Sequence, residues 1–141
     1  LSDPELAYDL LTYNYQSAPF YLDMEIMLTD EELEEIADAP HWLELVRELL
    51  LMMEKGSRMV PEKPLPSFSL VLGREENYLK LSADYQGDWD PALGWQELQR
   101  LNVSITLQAG KLVEYMHHHH RVVFDIMLPW PIAQSRNRTN D

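Results

Sequence analysis

The sequence predicts a two-layer α/β sandwich (α+β), in which helices cover one face of a mixed, mostly antiparallel sheet. Short segments of alternating apolar and polar residues are typical of half-buried strands, and several of them follow one another at hairpin distance. Apolar residues at helical spacing indicate three or more helices. Strands joined mainly by hairpins, with enough helices for one face, pack in two layers.

The chain is predicted to begin with a helix, a strand and a second helix. A capping box that begins at Ser2 predicts a helix over residues 3–16. Alternation over residues 20–28 predicts a half-buried strand. Thr29 and Glu32 form a second capping box, which predicts a short acidic helix.

The third predicted helix has the strongest pattern in the sequence. Asp38 is a candidate N-cap and Gly56 a candidate stop. Between them runs one continuous apolar stripe at helical spacing. The stripe consists of Trp42, Leu45, Val46, Leu49, Leu50 and Met53. Leu51 and Met52 widen it, so we expect this helix to be buried on more than one side.

The second half of the chain is predicted to be mostly strand. Alternation over residues 68–72 and 79–83, on either side of a turn, predicts a hairpin. Residues 92–109 fit a helix or a strand, and the pattern leaves both open. Two further strands are predicted at about residues 111–116 and 121–128.

Length and composition are those of a single domain. We expect one domain over residues 1–131 and a disordered tail over residues 132–141. No apolar run approaches the length of a membrane span, and the first residues do not resemble a secretory signal. The absence of cysteine favours a cytoplasmic location.

The negative charge is concentrated in the first part of the sequence. Residues 1–54 hold fourteen Asp and Glu against one basic residue, Arg47, while residues 55–141 are balanced. Such a field repels nucleic acid and attracts a basic protein surface. The candidate contact residues are Asp30, Glu31, Glu32, Glu34 and Glu35. The alternative is a solvated face with no partner.

Several segments, in their order and spacing, resemble the ATP-binding (HATPase, GHKL-type) domain of sensor histidine kinases. The resemblance covers roughly residues 5–131. Residues 38–50 and 59–61 resemble the asparagine box, and residues 67–84 resemble the hairpin before the first glycine box. Residues 93–94 resemble the last glycine box, and residues 110–112 and 121–129 resemble the closing strands.

The resemblance implies a nucleotide site that has lost its binding groups. Family members hold magnesium with an asparagine on the box helix, where this sequence has Leu51 and Lys55, which offer no oxygen ligand. The aspartate that accepts from adenine corresponds to Asp84, but the glycine spacing after it is not met. Only five residues separate Asp88 from Gly94, too few for the flap over the phosphates.

The histidines give no clear catalytic pattern. His41 lies at a predicted helix start, without the helical hairpin that carries a phosphoacceptor histidine in such kinases. His117 and His119 belong to a run of four between two predicted strands. In an extended chain these two share a face, which is a minimal metal patch or proton sensor. The alternative is a polar hairpin loop.

Three functions follow as hypotheses. The first is a degenerate histidine-kinase-like ATPase domain, without catalytic residues or cofactor. It would act as a protein-interaction or regulatory module of two-component signalling, contacting a response regulator or a kinase. The second is a divergent histidine kinase or phosphotransferase domain that binds ATP and magnesium, with Asp84 at the adenine. The third is an acidic adaptor of unrelated α/β fold.

Overall fold

The computed structural model describes residues 19–37, 41–118 and 120–130. The helix predicted over residues 3–16, the predicted cap Asp38 and the tail 132–141 lie outside the described residues. The division into a domain and a tail therefore stays a prediction.

The described part of the chain contains three helices and seven strands. The helices are α1 (Asp30–Ala37), α2 (His41–Gly56) and α3 (Pro91–Leu107). The strands are β1 (Tyr21–Met27), β2 (Ser57–Arg58), β3 (Ser67–Glu75), β4 (Tyr78–Gln86), β5 (Asp88–Trp89), β6 (Lys111–His118) and β7 (Arg121–Pro129). None of these helices combines the length and the apolar character that a bilayer crossing requires.

Five strands form the main sheet, in the order β1-β3-β4-β7-β6. β1 runs parallel to β3, with Tyr21 opposite Ser67, and the other three pairs are antiparallel. β3–β4 and β6–β7 are hairpins. β2 and β5 form a separate two-residue ribbon. The predicted mixed, mostly antiparallel sheet is confirmed.

The core lies between the sheet and the helices. All six residues of the predicted stripe on α2 are buried, and so is Met52, whereas Leu51 is 49% exposed. The prediction that Leu51 would also be buried is therefore wrong, because that side of α2 faces solvent. The Trp42 indole N–H donates to the Ile36 carbonyl at 3.0 Å and so joins α2 to α1.

The ambiguous segment 92–109 is a helix. Asp90 caps α3 by accepting from the Ala92 and Leu93 backbone N–H groups, and Pro91 occupies the first turn. Leu98, Leu101 and Ile105 are buried on one side. The cap decides the outcome, because the apolar pattern alone fits both structures.

Candidate functional site

The cleft that the resemblance assigns to nucleotide lies between α2, the end of β4 and the first turn of α3. Leu51 and Lys55 are both exposed on α2 and line its groove with α3. Lys55 Nζ is 3.3 Å from Glu97 Oε1 on α3. Among the described residues, a groove of about 190 Å³ lies between the two helices and is bordered by this ion pair.

The interior of this cleft is filled by Trp89. Its side chain is 5% exposed and packs against the Tyr85 ring at 5.4 Å between centroids. A Cβ atom on Gly56 of α2, or on Gly94 of α3, would overlap the indole ring. The two glycines therefore let both helices close onto the Trp89 ring.

Tyr85 holds the floor of the cleft through its hydroxyl group. The hydroxyl donates to the Asp88 carbonyl at 2.7 Å and lies 2.7 Å from Ser57 Oγ. Ser57 Oγ is also 3.2 Å from the Pro19 carbonyl. Burial raises the pKa of the Tyr85 phenol. This network joins the segment before β1 to β2, β4 and β5, so the end of the cleft is fixed.

Asp84 lies on the opposite face of the sheet from the helices. Residues on β4 alternate, and the helix-facing position at its end is Tyr85. Both Asp84 carboxylate oxygens are bound by Arg121, with Nε at 3.0 Å and Nη2 at 2.7 Å. This charged contact raises the pKa of Arg121. The carboxylate predicted for adenine thus points away from the cleft and has a partner.

The N-terminus of α3 is occupied by the chain's own carboxylate. Helix N-termini attract anions such as phosphate. Here Asp90 accepts from the Leu93 and Ala92 N–H groups and pairs with Arg58. The pKa of Asp90 is lowered, first by the Leu93 N–H group and then by Arg58. The anion position at this helix is therefore filled.

The structure only partly describes the histidine run. His117 is half-buried opposite Val122, and His120 Nδ1 is 4.0 Å from Asp88 Oδ1. His119 lies outside the described residues, so its distance to His117 is not defined. Within the described residues, no three His, Asp or Glu side chains come together as metal ligands would. A metal at His117 and His119 stays a prediction.

The five acidic residues predicted as a contact face divide into two groups. Asp30, Glu31 and Glu34 are exposed. Glu32 completes the predicted capping box with Thr29, in which each side chain accepts from the other residue's backbone N–H. The box is therefore confirmed.

Glu35 and Glu32 also hold α1 against the sheet. Arg74 Nη1 is 3.6 Å from a carboxylate oxygen of each. Glu35 accepts from the buried Trp130 indole N–H at 2.9 Å, and the Arg74 guanidinium lies 4.3 Å from the centre of that ring. Glu32 and Glu35 thus also have structural contacts, whereas Asp30, Glu31 and Glu34 are more exposed, and a contact face of all five stays a prediction.

Sequence reasoning missed Tyr85 and Trp89, the two residues that fill the cleft. A signal existed for Tyr85, because the alternation of Leu79, Leu81 and Ala83 continues to it. Trp89 had no comparable local signal, since its neighbours Gly56 and Gly94 come from two different helices.

Comparison with solved structures defines the class of protein. The chain is similar in fold to the catalytic domain of the histidine kinase ThkA, at a TM-score of 0.54 and 12% identity, with 92% of this chain covering 95% of that one. It is also similar to the histidine kinase AdeS of Acinetobacter baumannii, at a TM-score of 0.56 and 10% identity. That match covers 90% of this chain and 64% of AdeS. A third similar structure is a bacterial phosphotransferase, at a TM-score of 0.55 and 11% identity. The match covers 85% of this chain and 61% of that one. The domain therefore has the histidine-kinase ATPase fold, which excludes the hypothesis of an unrelated fold.

The family is narrower than this class. Residues 2–129 match the family model described as the C-terminal part of sporulation initiation phosphotransferase B, and the chain belongs to that family. It spans less than two thirds of the length of AdeS and of the bacterial phosphotransferase. No curated protein matches it in sequence.

Proposed function

We propose that this is a histidine-kinase-like domain that has lost nucleotide binding and acts as a protein-interaction or regulatory module in two-component signalling. The observation that carries the proposal is the position of Trp89, which fills the space between α2 and α3. Asp84 faces away from this space, and Asp90 occupies the N-terminus of α3. The proposed setting is cytoplasmic, in keeping with the lack of cysteine.

Titration calorimetry with ATP and magnesium tests the loss of nucleotide binding. We expect no heat of binding, because Trp89 packs between α2 and α3 and Asp90 caps the N-terminus of α3. Asp84→Asn is the matched control: it should leave the titration unchanged. A micromolar dissociation constant that Asp84→Asn abolishes would contradict the proposal.

The family description favours a second candidate, part of a phosphotransferase. Under this alternative the domain would bind ATP and magnesium, with Asp84 at the adenine. The contacts of Asp84 argue against it, since Arg121 binds both carboxylate oxygens. The same titration tests the ATP-binding form of this alternative, because that form requires nucleotide affinity.

We propose that the partner is a protein, a response regulator or a kinase, with a basic contact surface. Asp30, Glu31 and Glu34 project from α1 on the acidic part of the chain. Opposite charges steer association, and salt screens them beyond about 8 Å at physiological ionic strength.

Binding kinetics on a partner isolated from the native host test this surface. Replacing Asp30, Glu31 and Glu34 by Asn or Gln should slow association and reduce its salt dependence, with little effect on folding. Replacing Glu44, Glu48 and Glu62, three exposed acidic residues outside α1, by Gln removes the same charge and is the control. Equal association rates in the wild type and the α1 variant would show that the acidic helix is only a solvated face.

A further inference from the structure

β1 is an uninterrupted edge of the main sheet. All seven of its residues pair in register with β3, from Tyr21 to Met27. Within the described ranges, no strand pairs with its other side. The opposite edge, β6, differs because a register shift between Val113 and Met116 breaks its ladder. Such irregularities discourage the addition of another strand, and β1 contains neither a bulge nor a proline.

The outward backbone groups of β1 can be identified from its pairing. The Tyr21 N–H donates to the Pro66 carbonyl at 2.7 Å, on the side of β3. Successive residues of a strand point their backbone groups to opposite sides. Leu22, Met24 and Ile26 therefore direct their N–H and C=O groups to the free edge.

Along β1 the acidic side chains and the half-buried apolar side chains lie on opposite faces of the sheet. Asp23 and Glu25 are exposed on the helix-free face of the sheet, and Leu22, Met24 and Ile26 are half-buried on the helix side. A strand laid beside β1 would meet carboxylates on one face and apolar groups on the other. Cross-strand neighbours of opposite charge stabilise such a pair, and like charges destabilise it.

We propose that β1 accepts an added strand from a partner protein, an extended segment in which Lys or Arg alternates with apolar residues. Basic residues would lie beside Asp23 and Glu25, and apolar residues beside Met24 and its neighbours. A second copy of β1 is excluded, because its own Asp23 and Glu25 would face these carboxylates. The inference rests on the proposed interaction function and names the chemistry of the partner.

A synthetic peptide tests the edge directly. The probe is a peptide of alternating lysine and valine with seven residues, the length of β1, and the control alternates glutamate and valine. Binding is followed on the whole chain by amide hydrogen exchange. We expect the lysine peptide to slow exchange at Leu22, Met24 and Ile26, and the glutamate peptide to leave it unchanged. Slowed exchange along β6 instead, or equal effects of both peptides, would overturn the proposal.

Two variants separate backbone pairing from charge. Met24→Pro removes one outward N–H without removing a bond to β3, since proline is tolerated on the free side of an edge strand. It should abolish binding of the lysine peptide. The double variant Asp23→Lys, Glu25→Lys should weaken that binding roughly 2- to 30-fold, the sum of two cross-strand charge pairs.

The charge-reversed variant also supplies the reciprocal test. It should bind the glutamate peptide in place of the lysine peptide, and its circular dichroism should be that of the wild type because both positions are exposed. Unaltered peptide preference in this variant would overturn the proposal. The ATP titration does not involve this edge, so the two proposals can fail separately.

Discussion

The two faces of the sheet differ most clearly along β4, where adjacent residues have opposite surroundings. Leu79, Leu81 and Tyr85 on the helix side are buried, while Lys80 and Asp84 on the other side carry charge and form ion pairs. The covered face is closed around an indole ring, and among the described residues no strand pairs with the free side of β1. The space between α2 and α3 is therefore part of the core, whereas the charged side chains of β4 lie on the other face of the sheet.

The largest expected effect concerns the ring that closes the covered face. Trp89→Ala should lower the free energy of unfolding by about 3–5 kcal/mol, since it leaves a cavity between two helices. Trp95→Ala is the matched control, because that indole is 54% exposed and its loss should cost less than about 1 kcal/mol. Urea denaturation measures both. Similar losses in the two variants would mean that Trp89 does not fill the cleft.

The second prediction compares two leucines on α2. Leu49 is fully buried and Leu51 faces solvent. Leu49→Ala should cost about 2–5 kcal/mol, whereas Leu51→Ala should change stability by less than about 1 kcal/mol. Thermal unfolding of the pair is sufficient. A larger loss of stability in Leu51→Ala than in Leu49→Ala would contradict the orientation of α2, in which Leu49 faces the core.

The third prediction compares two tyrosines on opposite faces of β4. Tyr85→Phe leaves Ser57 Oγ and the Asp88 carbonyl one partner short, which should cost about 1–3 kcal/mol at neutral pH. Tyr78→Phe on the open face is the control and should cost less than about 0.5 kcal/mol. Urea denaturation at neutral pH compares the two.

Alkaline pH gives Tyr85 a second signature. Burial raises its pKa above the ordinary value of 10.0 in the folded chain, so its contribution is complete below that pH. The contribution is lost as pH rises from there through the folded-state pKa. The stability difference between the wild type and Tyr85→Phe should therefore narrow above pH 10. A constant difference would mean that the phenol is not buried.

The smallest effect distinguishes two glutamates on α1. Glu35→Ala removes the acceptor of the buried Trp130 indole N–H and should cost about 1–2 kcal/mol. Glu34→Ala, one position earlier and exposed, should stay within about 0.5 kcal/mol. Thermal unfolding at matched ionic strength measures the pair. Equally small losses of stability in the two variants would mean that the contact of Glu35 with Trp130 does not stabilise the fold.

The fold could be predicted wherever apolar residues kept one regular spacing, of a strand or of a helix, through a whole segment. Leu22, Met24 and Ile26 alternate without exception, and the α2 stripe has no gap, so local sequence was enough. α3 stayed ambiguous because apolar residues lie on all its sides. Val103 and Leu107 are exposed there, which hides the helical period. Only its cap and first-turn proline distinguish it from a strand.

The candidate site was less predictable, because it depends on residues that are distant in the chain. Asp84 was assigned to the cleft from the resemblance alone, and neighbouring residues of a strand lie on opposite faces, so Tyr85 is the one that faces the helices. Glu34 and Glu35 look alike in the sequence. Their different surroundings come from Arg74 on β3 and Trp130 just after β7, both distant from α1 in the sequence.

The contact of one indole with two glycines also constrains how this sequence can change. A side chain at position 56 or 94 is incompatible with tryptophan at position 89, so the three positions are epistatic. A substitution at either glycine is harmful first and tolerable only after residue 89 has become smaller. A mutational route to side chains at these two positions must therefore begin at Trp89 and pass through a cavity-bearing, less stable intermediate.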